Sequence, residues 1–249
     1  ETITNGEDSR LNISEPVEDT TETGYLLRLD RYSEDQLRNL DNFTAYTFRN
    51  NNQLEIRYPR SGALTPEMQR AIEQEFSDFE KALYSFDYDT DDYGYWHYID
   101  TGSFVDYWIM NEFTSNTDAG RYSTYLYKDI GGRYKTVIWD FNSACDNYQA
   151  SETSPYTFHM QEEVWYYMLM KEEDFTERII DRYRELRKTY LSDEYLENYI
   201  DETLEYLGDA IDRNFSVWGY TFDLPLLRPE NRNIESHEEA VKQLKKYIK

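Results

Sequence analysis

Two aspartates, Asp118 and Asp140, stand 22 positions apart and bracket a stretch that reads as a β-hairpin. Asp118 closes "NEFTSNTD" after a helical segment, and Asp140 ends the apolar run "YKTVIWD", with Trp139 as the expected buried anchor. Gly131-Gly132 between them is a turn signal. Strands of about eight or nine residues would return Asp140 to the neighbourhood of Asp118 and Ser123. Two carboxylates so placed suit phosphoryl transfer. Magnesium takes hard oxygen ligands, one or two carboxylates completed by phosphates and water, and Asp140 suits that role. A second carboxylate has to orient an acceptor hydroxyl and receive its proton late, which suits Asp118. Loop aspartate, hairpin, exit aspartate is the order that protein-kinase sites use, with a polar metal ligand five positions after the catalytic Asp. That position is Ser123. Acidic residues number 50 of 249, so on spacing alone the alternative of solvated carboxylates at strand ends stays open.

Other constellations are weaker. "DTDDYGYWHYID" imitates a calcium loop, with Asp89, Asp91, Gly94 and Asp100 at positions one, three, six and twelve. Tyr93 occupies a ligand position and Asp at the twelfth is a poorer bidentate ligand than Glu, so a solvated acidic loop is expected, with Tyr95 and Trp96 exposed in it. His97, His159 and His237 are scattered without HExxH spacing, and His159 and His237 are expected at the surface. Cys145 is the only cysteine, which rules out an internal disulfide and a cysteine zinc cage. "RELRK" at 184–188 reads as a helix face. A two-carboxylate glycosidase would need Asp118 and another acid flanking a sugar cleft, and nothing beyond acid abundance suggests the pair.

The elements that must position the aspartates follow from periodicity. The first 22 residues are polar and read as loop. "GYLLRLDRY" is β-rich, and residues 43–49 and 53–58 read as strands joined by an Asn-rich turn. At Thr65 the period changes: Thr65 as N-cap, Pro66 at the first helical position, then Met68, Ile72, Phe76, Phe79 and Leu83 at spacings of three and four. A second helix runs from about Ser103 to Phe113, burying Phe104, Val105, Trp108 and Ile109. After the hairpin the chain is helical. Phe175, Ile179, Tyr183, Leu186 and Tyr190 mark one helix; Leu196, Ile200, Leu204, Leu207, Ile211 and Phe215 mark another behind the cap Ser192; a last one starts at the capping box Ser236 to Glu239 and is expected to run to the chain end.

Composition bounds the partners. With 39% hydrophobic and 17% aromatic residues the chain can fill a core, and its net charge of -24 repels nucleic acid and anionic membranes. No apolar run approaches the ~20 residues of a membrane span. "ETITNGEDSR" carries no signal-peptide pattern.

The segment "YIDTGSFVDYWIMNEFTSNTDAGRYSTYLYKDIGGRYKTVIWDFNSA" resembles the core of the CotH kinase family, the spore-coat-protein-H type of atypical protein kinase. The likeness joins an Ile-Asp-x-x-Ser-Phe-x-Asp-Tyr helix, an Asn-x-Asp loop, a Tyr-Leu-Tyr-Lys-Asp strand and a Trp-Asp strand end. "GYLLRLDRY", "LTPEMQRAIEQEFSDFEKALYS", "FTERIIDRYRELRKTYLS" and "HEEAVKQLKKYIK" extend it from about Arg10 onward. It implies an α+β, atypical protein-kinase-like fold: a mostly helical C-lobe with a β-hairpin carrying the site and a small N-terminal β region. The implied boundaries are a polar segment over 1–22 and a partial kinase domain over 23–249, with the N-lobe strands and their nucleotide-clamping lysine expected before Glu1.

The implied activity is transfer of the ATP γ-phosphate to serine on a partner protein with Mg2+ or Mn2+, at a spore coat, cell surface or other extracellular site. Asp118 resembles the catalytic Asp and Asp140 the metal-binding Asp. Ser123 stands where many members have Asn, and Asn142 where many have a second Asp, so Asp140, Ser123 and Asn142 form the implied cofactor and metal set. The alternative is a noncatalytic CotH-like module of an extracellular assembly that binds protein or glycan.

Overall fold

A computed structural model describes residues 13–30, 38–43, 53–154 and 156–249. They form two compact units: Glu1–Trp108, Asp118–Asp140 and Met160–Glu177 in the first, and Ile109–Thr117, Phe141–His159 and Arg178–Lys249 in the second. Among the described residues, seven α-helices and one four-stranded sheet make the fold α+β.

In the first unit, β1 (Tyr25–Asp30), β2 (Gln53–Tyr58), β3 (Thr124–Lys128) and β4 (Lys135–Val137) form one antiparallel sheet in the order β2-β1-β3-β4. β1 lies inside the sheet, and "YLLRLD" buries Tyr25, Leu26, Leu27 and Leu29 on both faces. It pairs with β3 from Tyr25↔Lys128 to Leu29↔Thr124, so the hairpin and the N-terminal strands are one sheet rather than two regions. Of the strand expected over 43–49, Phe43 is helical rather than extended, and residues 44–49 lie outside the described residues.

Helix α1 (Pro66–Leu83) starts as its sequence dictates: Met68 N–H donates to Thr65 Oγ1 at 3.2 Å. Its stripe Met68, Ile72, Phe76, Phe79 and Leu83 is fully buried. Phe76 meets Phe79, Tyr134 and Trp165 edge-on, with ring centroids 5.1 to 5.7 Å apart, so α1, the β4 approach and the Trp165 segment share one aromatic core. Helix α2 (Thr101–Phe113) is capped by Asp100, whose Oδ1 accepts from Ser103 N–H at 3.0 Å. Phe104, near its start, is fully buried, and its carbonyl accepts from Tyr166 OH at 2.9 Å; Tyr166 opens the short helix α3 (Tyr166–Leu169). Helix α4 (Glu173–Leu186) begins with the buried Phe175.

In the second unit Ser192 caps α5 (Asp193–Leu207), accepting from Tyr195 N–H at 3.2 Å. The single helix expected through Phe215 is instead divided: Gly208, at φ 45°, separates α5 from α6 (Asp209–Trp218). The apolar spacing runs through the break, which is why periodicity alone merges the two. Helix α7 (His237–Tyr247) has Ser236 as its cap, but Glu239 reaches back to Glu235 N–H (2.8 Å) rather than to the cap residue. Lys245–Asp201 (2.5 Å) and Lys249–Glu197 (2.6 Å) tie its C-terminal side to α5.

Candidate functional site

The residues after Asp118 form a closed turn. The Asp118 carbonyl accepts from Arg121 N–H (3.1 Å) and Tyr122 N–H (2.8 Å). Gly120 N–H donates to Thr124 Oγ1 (2.8 Å), and that hydroxyl donates to the Tyr122 carbonyl (3.0 Å), so the first residue of β3 fastens the turn from below. Gly120 sits at φ 80°, and a Cβ there would lie 2.8 Å from Glu163 Cβ, so only glycine lets the chain pass. Arg121 Nε donates to Glu163 Oε1. Asp118 itself is half-buried.

The other end of the hairpin departs from expectation. β3 and β4 pair only from Tyr127↔Lys135 to Tyr125↔Val137, with Gly131 at φ 67° and Gly132 N–H bonded to the Asp129 carbonyl (2.9 Å) in the turn. Trp139 is not a buried anchor: it is 37% exposed and leans on Tyr125, with centroids 5.6 Å apart. Asp140 is therefore no strand terminus, but an exposed residue three positions past β4. The physical cause lies in the backbone. Ser123 (φ 48°) and Asp140 (φ 56°) both turn left-handed, one just before β3 and one beyond β4, and neither can continue a ladder. Ser123 directly precedes β3 and Asp140 follows β4 by three residues, so both leave the sheet at the same end of the β3–β4 pair, and Asp118 lies five residues before Ser123 at the start of the closed turn. Asp118 and Asp140 are the first and last residues of one segment of the first unit.

Asn142 falls in the second unit, where its carbonyl accepts from Asn147 Nδ2 (2.8 Å) and its Oδ1 from Ser143 Oγ (3.2 Å). Among the described residues no group of three or more His, Cys, Asp or Glu converges to hold a metal. The proposed oxygen set does not need one: magnesium keeps waters and phosphate oxygens and requires one or two carboxylates. Asp140, exposed and on the hairpin's open side, fits that demand.

The calcium-like loop is structural. Asp100 caps α2, and His97 Nε2 lies 2.7 Å from the Asp91 carbonyl. Tyr95, expected exposed, is 2% exposed, because Tyr95–His97 form a 3-10 turn that carries its ring inward. His159 and His237 are half-buried rather than at the surface: Glu112 receives the His159 N–H, and Phe215 packs on the His237 ring at 5.0 Å. "RELRK" is a helix end whose Arg187 binds the Leu191 carbonyl (2.6 Å) and Asp193 (2.7 Å).

Glu163 was not legible from sequence as a neighbour of Asp118. Burial pushes its carboxyl above the usual range, with Arg121 pulling it partly back and Glu162 adding to the rise. A faint signal existed: Arg121 is the only Lys or Arg between Tyr98 and Tyr127.

A family model described as CotH kinase protein matches residues 14–249. The chain belongs to the CotH kinase family. The match spans both units, and with the α+β architecture it makes this a CotH kinase-like domain. No curated protein and no solved structure matches the chain. Among the described residues of this CotH family member, no helix is long and apolar enough to cross a membrane.

Proposed function

We propose that this CotH family member is an atypical protein kinase domain over residues 23–249 that transfers the γ-phosphate of ATP to a serine of a partner protein, at a spore coat, cell surface or other extracellular site. The observation that carries the reading is the backbone at the hairpin's open end. Ser123 and Asp140 both adopt left-handed conformations that cost a non-glycine residue energy, and such outliers concentrate at functional sites. In this reading Asp118 orients the acceptor hydroxyl and receives its proton as the new oxygen–phosphorus bond forms. Asp140 and the Ser123 hydroxyl would hold Mg2+ or Mn2+; Asn142 is proposed as a ligand on its sequence position alone. A divalent cation there supplies neutralisation of phosphate charge. The chain's own contribution is to fix these oxygens on a closed turn and a hairpin exit.

The test is transfer from radiolabelled Mg-ATP to a serine-rich acceptor protein. Asp140→Ala should lower the rate at least about a hundredfold. Parent and variant transferring equally would refute the assignment of Asp140. Calorimetry showing no Mg-ATP binding by the parent would favour the noncatalytic module.

A further inference from the structure

Asp118 stands on a turn closed by bonds to its own carbonyl and fastened at the Thr124 hydroxyl, and its rigidity depends on what the turn packs against. What it leans on is Glu163, 8% exposed, which meets it twice. Arg121 Nε bonds its carboxylate, and the Glu163 Cβ and Cγ fill the space left by the missing side chain of Gly120. Glu163 is itself anchored on α1. Its neighbours Val164 and Trp165 are gripped there: Tyr84 OH donates to the Val164 carbonyl, and Trp165 Nε1 donates to Glu80 Oε1 at 2.8 Å. Glu80 is wholly buried and also accepts from Asn42 Nδ2 at 2.8 and 3.0 Å, so the anchor is saturated with donors and rigid. Glu163 N–H bonds the Met160 carbonyl and its own carbonyl receives Tyr167 N–H, both at 2.9 Å, which fixes the backbone from which the carboxylate projects. A buried carboxylate costs stability unless something is gained by it, and Arg121, whose guanidinium meets it, has a side chain 57% exposed and could be solvated without it.

We propose that Glu163 is a positioning residue for Asp118, transmitting the rigidity of α1 through Arg121 and Gly120 to the turn that bears the carboxylate. The catalytic part of this inference rests on the kinase reading; the mechanical part does not. Glu163→Leu keeps the side-chain bulk against Gly120 and removes the acceptor, and Glu163→Gln keeps an acceptor without the charge. In the Leu variant, amide hydrogen exchange in the 118–124 peptide should accelerate about tenfold or more while α1 peptides stay unchanged. Its kcat should fall about tenfold or more with the KM for ATP within about twofold, and Gln should restore most of kcat. Unchanged exchange in the 118–124 peptide, or equal kcat in parent and Leu variant, overturns the proposal. A parent that transfers no phosphate defeats the kinase reading instead, and the exchange result still decides whether Glu163 holds the turn.

Discussion

Glu163 is where residue-scale chemistry gives a sign that can be measured. Its carboxyl is raised chiefly by burial, with Arg121 opposing and Glu162 adding to the rise. A carboxyl whose folded pKa lies above its unfolded one contributes stability that is present below the unfolded value and lost as pH rises through the folded one. Glu163→Gln cannot ionise and escapes that loss. The variant should therefore melt at about the same temperature as the parent below about pH 4, where both side chains are neutral. It should melt higher at pH 7. Thermal melts across this range check the sign; a parent that gains on the variant as pH rises would mean that Arg121 outweighs burial. A Glu163 that lowers stability at pH 7 and yet sets kcat would be a side chain that serves the geometry it imposes.

At the scale of elements, Gly208 makes the sharpest demand. Its φ of 45° with ψ of -131° lies where a side chain is strained, although the nearest atom to an added Cβ is 3.6 Å away, so the penalty is backbone and not crowding. Gly208→Ala should cost about 1 to 3 kcal/mol, read from denaturant unfolding followed through the α5–α6 region. No change in midpoint would show that the junction relaxes into a continuous helix. The same junction shows why part of the fold was hidden. Helix α1 was legible because Thr65, Pro66 and five apolar residues at helical spacing are local signals, and the Gly131-Gly132 turn is local too. The α5–α6 break was not, because the apolar positions Leu196 to Phe215 keep phase across one glycine. The short β4 was hidden for another reason: the length of an edge strand is set by its partner, and β3 begins only after Ser123, which turns left-handed. At the candidate site, spacing alone suggests grouping Asp118, Ser123 and Asp140, whereas Glu163 lies 42 positions from Arg121 and is brought to it only by tertiary packing.

For the whole molecule the dominant quantity is charge. A formal net charge of -24 on 249 residues, with a sequence pI near 4.4, makes self-repulsion a standing cost of the compact state. It is concentrated: from Asp193 to Asp212 there are eight carboxylates and no Lys or Arg, and among the described residues only Asp193, Glu197 and Asp201 of them form ion pairs, with Arg187, Lys249 and Lys245. Added salt weakens those exposed pairs, each worth little, and also screens the many unpaired like charges over a Debye length of about 10 Å at 0.1 M. The second effect is larger because unpaired carboxylates outnumber pairs there. Raising sodium chloride from about 20 to about 200 mM at neutral pH should raise the melting temperature by a few degrees, with sodium sulfate avoided because it also strengthens apolar burial. A melting temperature that falls with salt would mean that the ion pairs, and not the excess of carboxylates, govern the electrostatics of this CotH family domain.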